Sequence, residues 1–121
     1  MTRAIQNKQI SAETESRITH YIERKEYVQA ARLADRSGNA ELRDQICEER
    51  IIRCNACLYE LGDKKKGLLG HMSMMAKASI YREMSELYGV KKDQEQEEEC
   101  MKLSRSFHAA YIEIAMLKRS R

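Results

Sequence analysis

Two cysteines three residues apart, Cys54 and Cys57, come closest in type and spacing to a chemical site. Such a pair provides half of a zinc or redox site when both thiols face one side of a helix. Zinc requires four ligands, so Cys47, Cys100 or His71 would have to complete the set. The chain has no second closely spaced pair, and free cysteine packs as a small buried hydrophobe. We therefore favour core packing for these thiols and expect no metal and no cofactor.

Other catalytic patterns are missing from the sequence. The histidines at 20, 71 and 108 are far apart, and none has a second metal-ligating residue four positions away. The glutamates at 95 and 97–99 precede a basic end at 118–121, an arrangement that complements a helix dipole. No phosphate-binding glycine loop and no serine nucleophile motif occurs. These observations predict a protein that is not an enzyme.

The composition predicts one all-α domain. The chain of 121 residues contains no Pro and five Gly, and 34% of its residues are charged. Its apolar runs are far shorter than the roughly 20 residues that cross a membrane. The four cysteines occur without a secretory signal, which predicts a reducing, cytoplasmic location. We expect a flexible segment at 1–10 and a single helical domain at 11–121.

Glycines mark the expected helix ends. Gly38, Gly62 and Gly89 each follow an amphipathic stretch, where glycine favours helix termination. Asn39 and Asp63 suit helix N-caps, and Asp93 with a glutamine three residues later has capping-box spacing. The predicted helices cover 11–24, 26–37, 39–61, 63–88 and 93–118. The first two are also compatible with one continuous helix, so we expect four or five.

Long apolar stripes predict how these helices pack. In the last helix one stripe recurs every three or four residues, at Cys100, Leu103, Phe107, Ala110, Ile114 and Leu117. The third helix repeats the spacing at Cys47, Ile51, Cys54, Leu58 and Leu61. Long striped helices joined by short turns pack as antiparallel neighbours. We therefore expect antiparallel helical hairpins, arranged as a bundle or a short array.

The segment from Tyr21 to Ala34 resembles the turn and second helix of a tetratricopeptide hairpin. The resemblance to tetratricopeptide and related α-solenoid repeats extends over about residues 20–105 through Leu61-Gly62 and Tyr88-Gly89 at predicted turns. The glycines are spaced by 24 and 27 residues, whereas these repeats have 34. The resemblance implies a protein-binding scaffold and carries over no catalytic residue.

Methionines on the fourth helix predict a partner contact. Met72, Met74 and Met75 sweep most of a helical turn, so they cannot all face one narrow core. Methionine adapts to varied binding surfaces, although complete burial within the monomer remains an alternative. The stripe of the last helix is longer than the short first two helices can cover. We therefore predict partner binding by the three methionines and by Phe107, Tyr111 and Ile114, most simply in a homodimer.

Basic clusters define the alternative function. Lys64, Lys65 and Lys66 form one cluster and Lys91 and Lys92 another. These residues could contact phosphates in a small helical subunit associated with nucleic acid. The net charge is only +3, with both signs interleaved along the chain. We therefore favour a protein interaction or assembly module, acting as an adaptor or scaffold, over nucleic-acid binding.

Overall fold

The computed structural model describes residues 11–62 and 67–119, leaving aside the side chains of 67–71 and 118. The helices are α1 Ala12–Glu23, α2 Tyr27–Arg36, α3 Ala40–Leu61, α4 Gly67–Val90 and α5 Gln94–Arg119. The described residues contain no strand. The all-α prediction is therefore confirmed, and the first two helices are separate. The segment 1–10, predicted to be flexible, lies outside the described residues.

Three connections between helices share one turn geometry. Each contains a residue in the left-handed conformation, with φ of 62° at Lys25, 84° at Gly38 and 68° at Lys92. The next residue donates its N–H to the carbonyl five positions earlier, at distances of 2.8, 3.0 and 2.9 Å. This is the hydrogen bond of a Schellman motif, which ends a helix within a few residues. The turns reverse the chain and bring consecutive helices side by side.

One helix ends two residues later than predicted. Gly38 follows α2 and Gly62 caps α3 as predicted, but α4 continues through Gly89 to Val90. A Cβ atom at Gly89 would lie 2.6 Å from Oε2 of Glu97. Glycine at this position therefore makes room for a side chain of α5 instead of ending the helix.

Side-chain caps form at two of the predicted positions. Oδ1 of Asn39 accepts a hydrogen bond from the Leu42 N–H at 3.0 Å, and Oδ1 of Asp93 accepts one from the Gln96 N–H at 3.2 Å. Each cap satisfies an amide that has no partner within its helix. The third predicted cap, Asp63, lies outside the described residues.

The short helix α2 lies at the centre of the hydrophobic core. It packs on α1, α3 and α4, and its Ala30, Ala31 and Ala34 have no exposed surface. Small side chains allow close approach from several directions in a tightly packed interior. Larger apolar residues complete the core around α2, among them Ile18, Leu33, Ile46, Ile51, Met84 and Leu87.

The length of α2 divides the molecule into two halves. With ten residues α2 is about 15 Å long, whereas α4 with 24 residues is about 36 Å long. Its charged contacts reach Arg43 and Arg50 on α3 and Glu86 on α4. We call residues 11–50 and 83–102 the proximal half. The distal half is 51–62, 67–82 and 103–119, where the long helices continue beyond the contacts made by α2.

The apolar stripe of α5 faces α4 from Cys100 to Ile114 and is not left exposed there, contrary to the sequence-based expectation; Leu117, its last residue, is 60% exposed. The two helices are antiparallel, since Ser85 Oγ donates to the Glu97 carbonyl at 2.9 Å and Ser104 Oγ donates to the Ala78 carbonyl at 2.8 Å. Cys100 is buried, and the stripe residues 103, 107, 110 and 114 are half-buried. Helix α4 covers the stripe because it is nearly as long as α5.

Truncation of Leu87 tests this core. Leu87 is completely buried, so Leu87→Ala should lower the free energy of unfolding by about 2–5 kcal/mol through lost burial and a cavity. The matched control is Leu117→Ala at a side chain that is 60% exposed, where the change should stay within about 0.5 kcal/mol. Urea denaturation measures both. Equal losses for the two variants would contradict the core assignment.

Candidate docking face

Exposed apolar side chains are concentrated in the distal half. Eight large hydrophobic residues are exposed among the described residues, and Ile22 is the one that lies in the proximal half. The other seven are Ile52, Tyr59, Met72, Met75, Ile112, Met116 and Leu117. Clustered exposed apolar surface is a common mark of an interface. These seven residues therefore lie beyond the N-terminal end of α2.

One line along α4 leads from α2 to the exposed methionines. Met72, Met75, Ser79, Arg82 and Glu86 recur at alternating steps of three and four residues, which places them on one side of the helix. At the proximal end, the Glu86 carboxylate lies 4.0 Å from a guanidinium nitrogen of Arg32 on α2. At the distal end, Met72 and Met75 are 58% and 57% exposed. The methionines continue the side of α4 that faces α2.

A second line runs along α5 in the same way. Met101 lines a cleft against α2, and Arg105, His108, Ile112 and Met116 follow at steps of three or four residues. Ile112 and Met116 are 43% and 62% exposed. The α4 line therefore begins at its contact with α2, the α5 line begins at the cleft between α2 and α5, and both run toward the distal end of the α4–α5 pair.

The register of the pair brings the two lines together. Ser104 lies level with Ala78, so in antiparallel helices Met75 is level with Phe107, about 7.5 Å along the helix axis from Ile112. Met72 is level with the following turn of α5 by the same count. We call the surface formed by Met72, Met75, Ile112 and Met116 the open groove.

Positive charge borders the open groove. Arg82 lies on the α4 line, and Arg105 and Arg119 lie on the α5 line; all three are exposed. Arg82 is 3.9 Å from Glu86, while the other two guanidinium groups form no ion pair with a described residue. In sequence, the distal half has six basic and two acidic residues, and the proximal half has ten basic and sixteen acidic residues. The exposed apolar surface therefore lies on the basic half.

A depression on the outer face of α5 adjoins the open groove. It has a volume of about 510 Å³ and is lined by Ala109, Ile112, Glu113, Met116 and Leu117 among the described residues. Apart from Glu113 these lining residues are apolar. Ile112 and Met116 thus belong to both surfaces, so the apolar area continues around α5.

The predicted partner-binding residues have different environments. Met74, Phe107, Tyr111 and Ile114 are half-buried, in contrast to Met72 and Met75. The ring of Phe107 stacks on Tyr81 at a centroid distance of 5.6 Å. The ammonium nitrogen of the buried Lys77 lies 5.4 Å from the centroid of the same ring. Phe107 therefore contributes to contact between α4 and α5.

Sequence reasoning overlooked the exposed pair on α5. Ile112 and Met116 lie on the opposite side of the helix from the stripe that includes Ile114. The available signal was a second apolar series at 109, 112 and 116, with spacings of three and four. One helix with two apolar faces has more apolar surface than a single neighbouring helix can cover.

The cleft between α2, α4 and α5 is charged rather than apolar. Its volume is about 420 Å³, and its lining includes Arg32, Arg36, Asp35, Glu86 and Glu97. Two ionic contacts lie within it, between Arg32 and Glu86 at 4.0 Å and between Lys92 and Asp35 at 3.9 Å. These opposite charges join the C-terminal part of α2 to Glu86 of α4 and to Lys92 in the turn that follows α4.

The two predicted phosphate-binding lysines that the structure describes both lie beside carboxylates. Lys91 lies 3.1 Å from Oε1 of Glu48, and Lys92 lies 3.9 Å from a carboxylate oxygen of Asp35. Nearby carboxylates compete with phosphate for these ammonium groups. Lys64, Lys65 and Lys66 lie outside the described residues.

The cysteines do not share one environment. Cys47, Cys54 and Cys100 are buried, but Cys57 is exposed, so the expectation that Cys57 packs in the core is wrong. Cys57 follows Cys54 by three residues, a rotation of about 300° around the helix axis. Cys57 therefore lies to one side of the packed face that contains Cys54. Burial raises the pKa of Cys47 and of Cys54 to about 11. No group of three potential metal-ligating side chains occurs within the described part of the chain.

Comparison with protein-family models, curated proteins and solved structures finds no match to this chain. None of the helices in the described residues has the length and apolar character needed to cross a membrane.

Thiol reactivity tests the cysteine environments. At pH 8, a thiol with a pKa of about 11 is a thiolate in only about one molecule in a thousand, and burial also blocks reagent access. An excess of a chromogenic disulfide should therefore modify one thiol per folded chain rapidly and all four after unfolding in urea. Cys57→Ser should abolish the rapid phase. Rapid modification of Cys47 or Cys54, located by peptide mass spectrometry, would contradict the assignment.

Proposed function

We propose that this chain is a non-enzymatic assembly module that binds a helix of a protein partner, or a second copy, across the distal half of α4 and α5. The observation that carries the proposal is the exposure of Met72, Met75, Ile112 and Met116 on the side of the α4–α5 pair where α2 packs on the proximal part of α4 and borders a cleft against α5. Burying large apolar side chains of this kind provides most of the free energy of association. We place this activity in the reducing cytoplasm, in keeping with four free cysteines.

The packing of α2 supports a helix as the bound element. Helix α2 already lies across α3 and α4, with small apolar residues inward and charged residues at its edges. A partner helix in the open groove would extend the same row beyond the N-terminal end of α2. The resemblance to tetratricopeptide hairpins, which implies a protein-binding scaffold, agrees with this proposal.

A second candidate is a subunit associated with nucleic acid, favoured by the basic excess of the distal half. Phosphate contacts by Arg82, Arg105 and Arg119 would give binding that weakens steeply with salt. Apolar contacts with a helix would persist at higher salt concentration. A titration of labelled duplex DNA and single-stranded RNA at ~0.15 M salt separates the candidates, because near-physiological salt screens non-specific contacts. The assembly proposal predicts no saturable binding in this titration.

Site-specific photo-crosslinking tests the assembly proposal. A benzophenone amino acid replaces Met75 or Ile112 in the full chain, and cells of the native host are irradiated. Matched controls carry the same group at the exposed proximal positions Gln45 and Glu99. We expect protein adducts from positions 75 and 112 but not from the controls. Adduct mass distinguishes a second copy from another protein, and no adduct at either distal position would contradict the proposal.

A further inference from the structure

We infer that the occupant of the open groove is an acidic amphipathic helix from another protein, an inference that rests on the proposed function. Such a helix would place its apolar face on Met72, Met75, Ile112 and Met116. Its carboxylates would face the arginines at the borders of the groove. The chemistry of both surfaces and the course of α2 lead to this assignment.

The charges beside the open groove select an acidic occupant. Between residues 72 and 82, the α4 line carries Arg82 and no acidic residue. Between residues 105 and 119, the α5 line carries Arg105, His108 and Arg119 and no acidic residue. Glu113 lies beside Ile112 on the outer face of α5 and is the acidic residue nearest to this line in sequence. Carboxylates of an occupant would meet Arg105 and Arg119 and would share Arg82 with Glu86, which lies 3.9 Å from it; these contacts favour association and orientation.

The same charges disfavour a second copy. A symmetric dimer through Ile112 and Met116 would bring the flanking Arg105 and Arg119 of both copies toward one another. Opposed like charges reduce the stability of such an interface. A head-to-tail arrangement would place the open groove on the acidic proximal half of the next copy. Among the described residues of that half, Ile22 is the exposed large apolar side chain, so it offers little surface for the methionines to bury.

The dimensions of the groove suit a helix of about four turns. Residues 67–82 of α4 extend about 24 Å, the length of roughly sixteen helical residues. A straight helix can bury one apolar stripe along this distance while its sides remain in contact with charged groups. The α4 wall of the groove continues the side of α4 on which α2 packs, so this side of α4 accepts a packed helix.

Two designed peptides provide the probe. Both have about sixteen residues and the same leucine stripe at steps of three and four; the polar positions carry Glu in one and Lys in the other. Fluorescence anisotropy with the full chain at ~0.1 M salt should show the acidic peptide binding at least about tenfold more tightly than the basic peptide. Equal affinities, or preference for the basic peptide, would overturn the inference.

Surface variants locate the binding. Replacing Arg105 and Arg82 with Glu should weaken the acidic peptide by at least about tenfold and strengthen the basic peptide, because the border charges are reversed. Met75→Ser with Ile112→Ser should weaken both peptides. The control Arg17→Glu lies at an exposed position of α1 and should leave both affinities unchanged. Circular dichroism confirms that each variant remains helical. Loss of acidic-peptide binding in the control alone would place the site elsewhere and overturn the inference.

Two further measurements compare other occupants. Sedimentation equilibrium should show a monomer, and a dimer that Ile112→Ser disrupts would replace the acidic helix by a second copy. Flotation with vesicles of about 30% phosphatidylserine in phosphatidylcholine tests an anionic membrane surface. The inference would be overturned if the chain bound the vesicles, lost this binding when Arg105 and Arg82 are replaced, and bound the acidic and basic peptides equally. Protein crosslinks from positions 75 and 112 without peptide discrimination would leave the assembly proposal standing while rejecting the acidic helix.

Discussion

The architecture depends on the short central helix α2. It is packed on α1, α3 and α4, and its three buried alanines allow these helices to approach closely. Because α2 has ten residues whereas α3 and α4 have 22 and 24, it covers only part of these two long helices. The proximal half becomes a multilayered core, while the distal half retains exposed apolar side chains. The same mismatch in helix length therefore produces both the stable core and the candidate docking face.

A polar junction fixes where α2 begins. Arg50 of α3 donates two hydrogen bonds to the Glu83 carboxylate of α4, at 2.7 and 3.0 Å, and its guanidinium lies 4.6 Å above the ring of Tyr27. The paired hydrogen bonds raise the pKa of Arg50, so the group stays charged. A two-point contact of this kind restrains both partners in distance and angle. The first residue of α2 is thereby held at the boundary between the halves.

The fold was largely predictable because its signals are local. Asn39 and Asp93 cap helices through side-chain hydrogen bonds, and Gly38 takes a left-handed conformation. The left-handed lysines at 25 and 92 carry no such signal, since glycine usually occupies that conformation. The Arg24–Glu26 break was consequently ambiguous in sequence, and the end of α4 was placed at Gly89.

The candidate face was less predictable because exposure depends on which helices are neighbours. The spacing of Phe107 and Ile114 correctly identified an apolar stripe, but did not reveal that α4 covers it. Ile112 and Met116 lie on the side of α5 away from α4, and α4 is the one described helix that packs on α5. Met72 and Met75 were found because three methionines within four residues exceed one helix face. A local sequence pattern therefore pointed to the α4 residues of the candidate face. The exposure of its α5 residues depends on tertiary packing and could not be predicted from the sequence.

The central claim is that the distal face is open in the isolated chain and covered when the module is assembled. Methionine oxidation by brief peroxide exposure reports this directly, with buried Met84 as an internal reference in the same molecule. In the purified chain, Met72, Met75 and Met116 should oxidise much faster than Met84, and in intact cells their rates should fall toward that of Met84. Oxidation of Met72 and Met75 as slow as that of Met84 in the purified chain would contradict the account, as would unchanged rapid oxidation in cells.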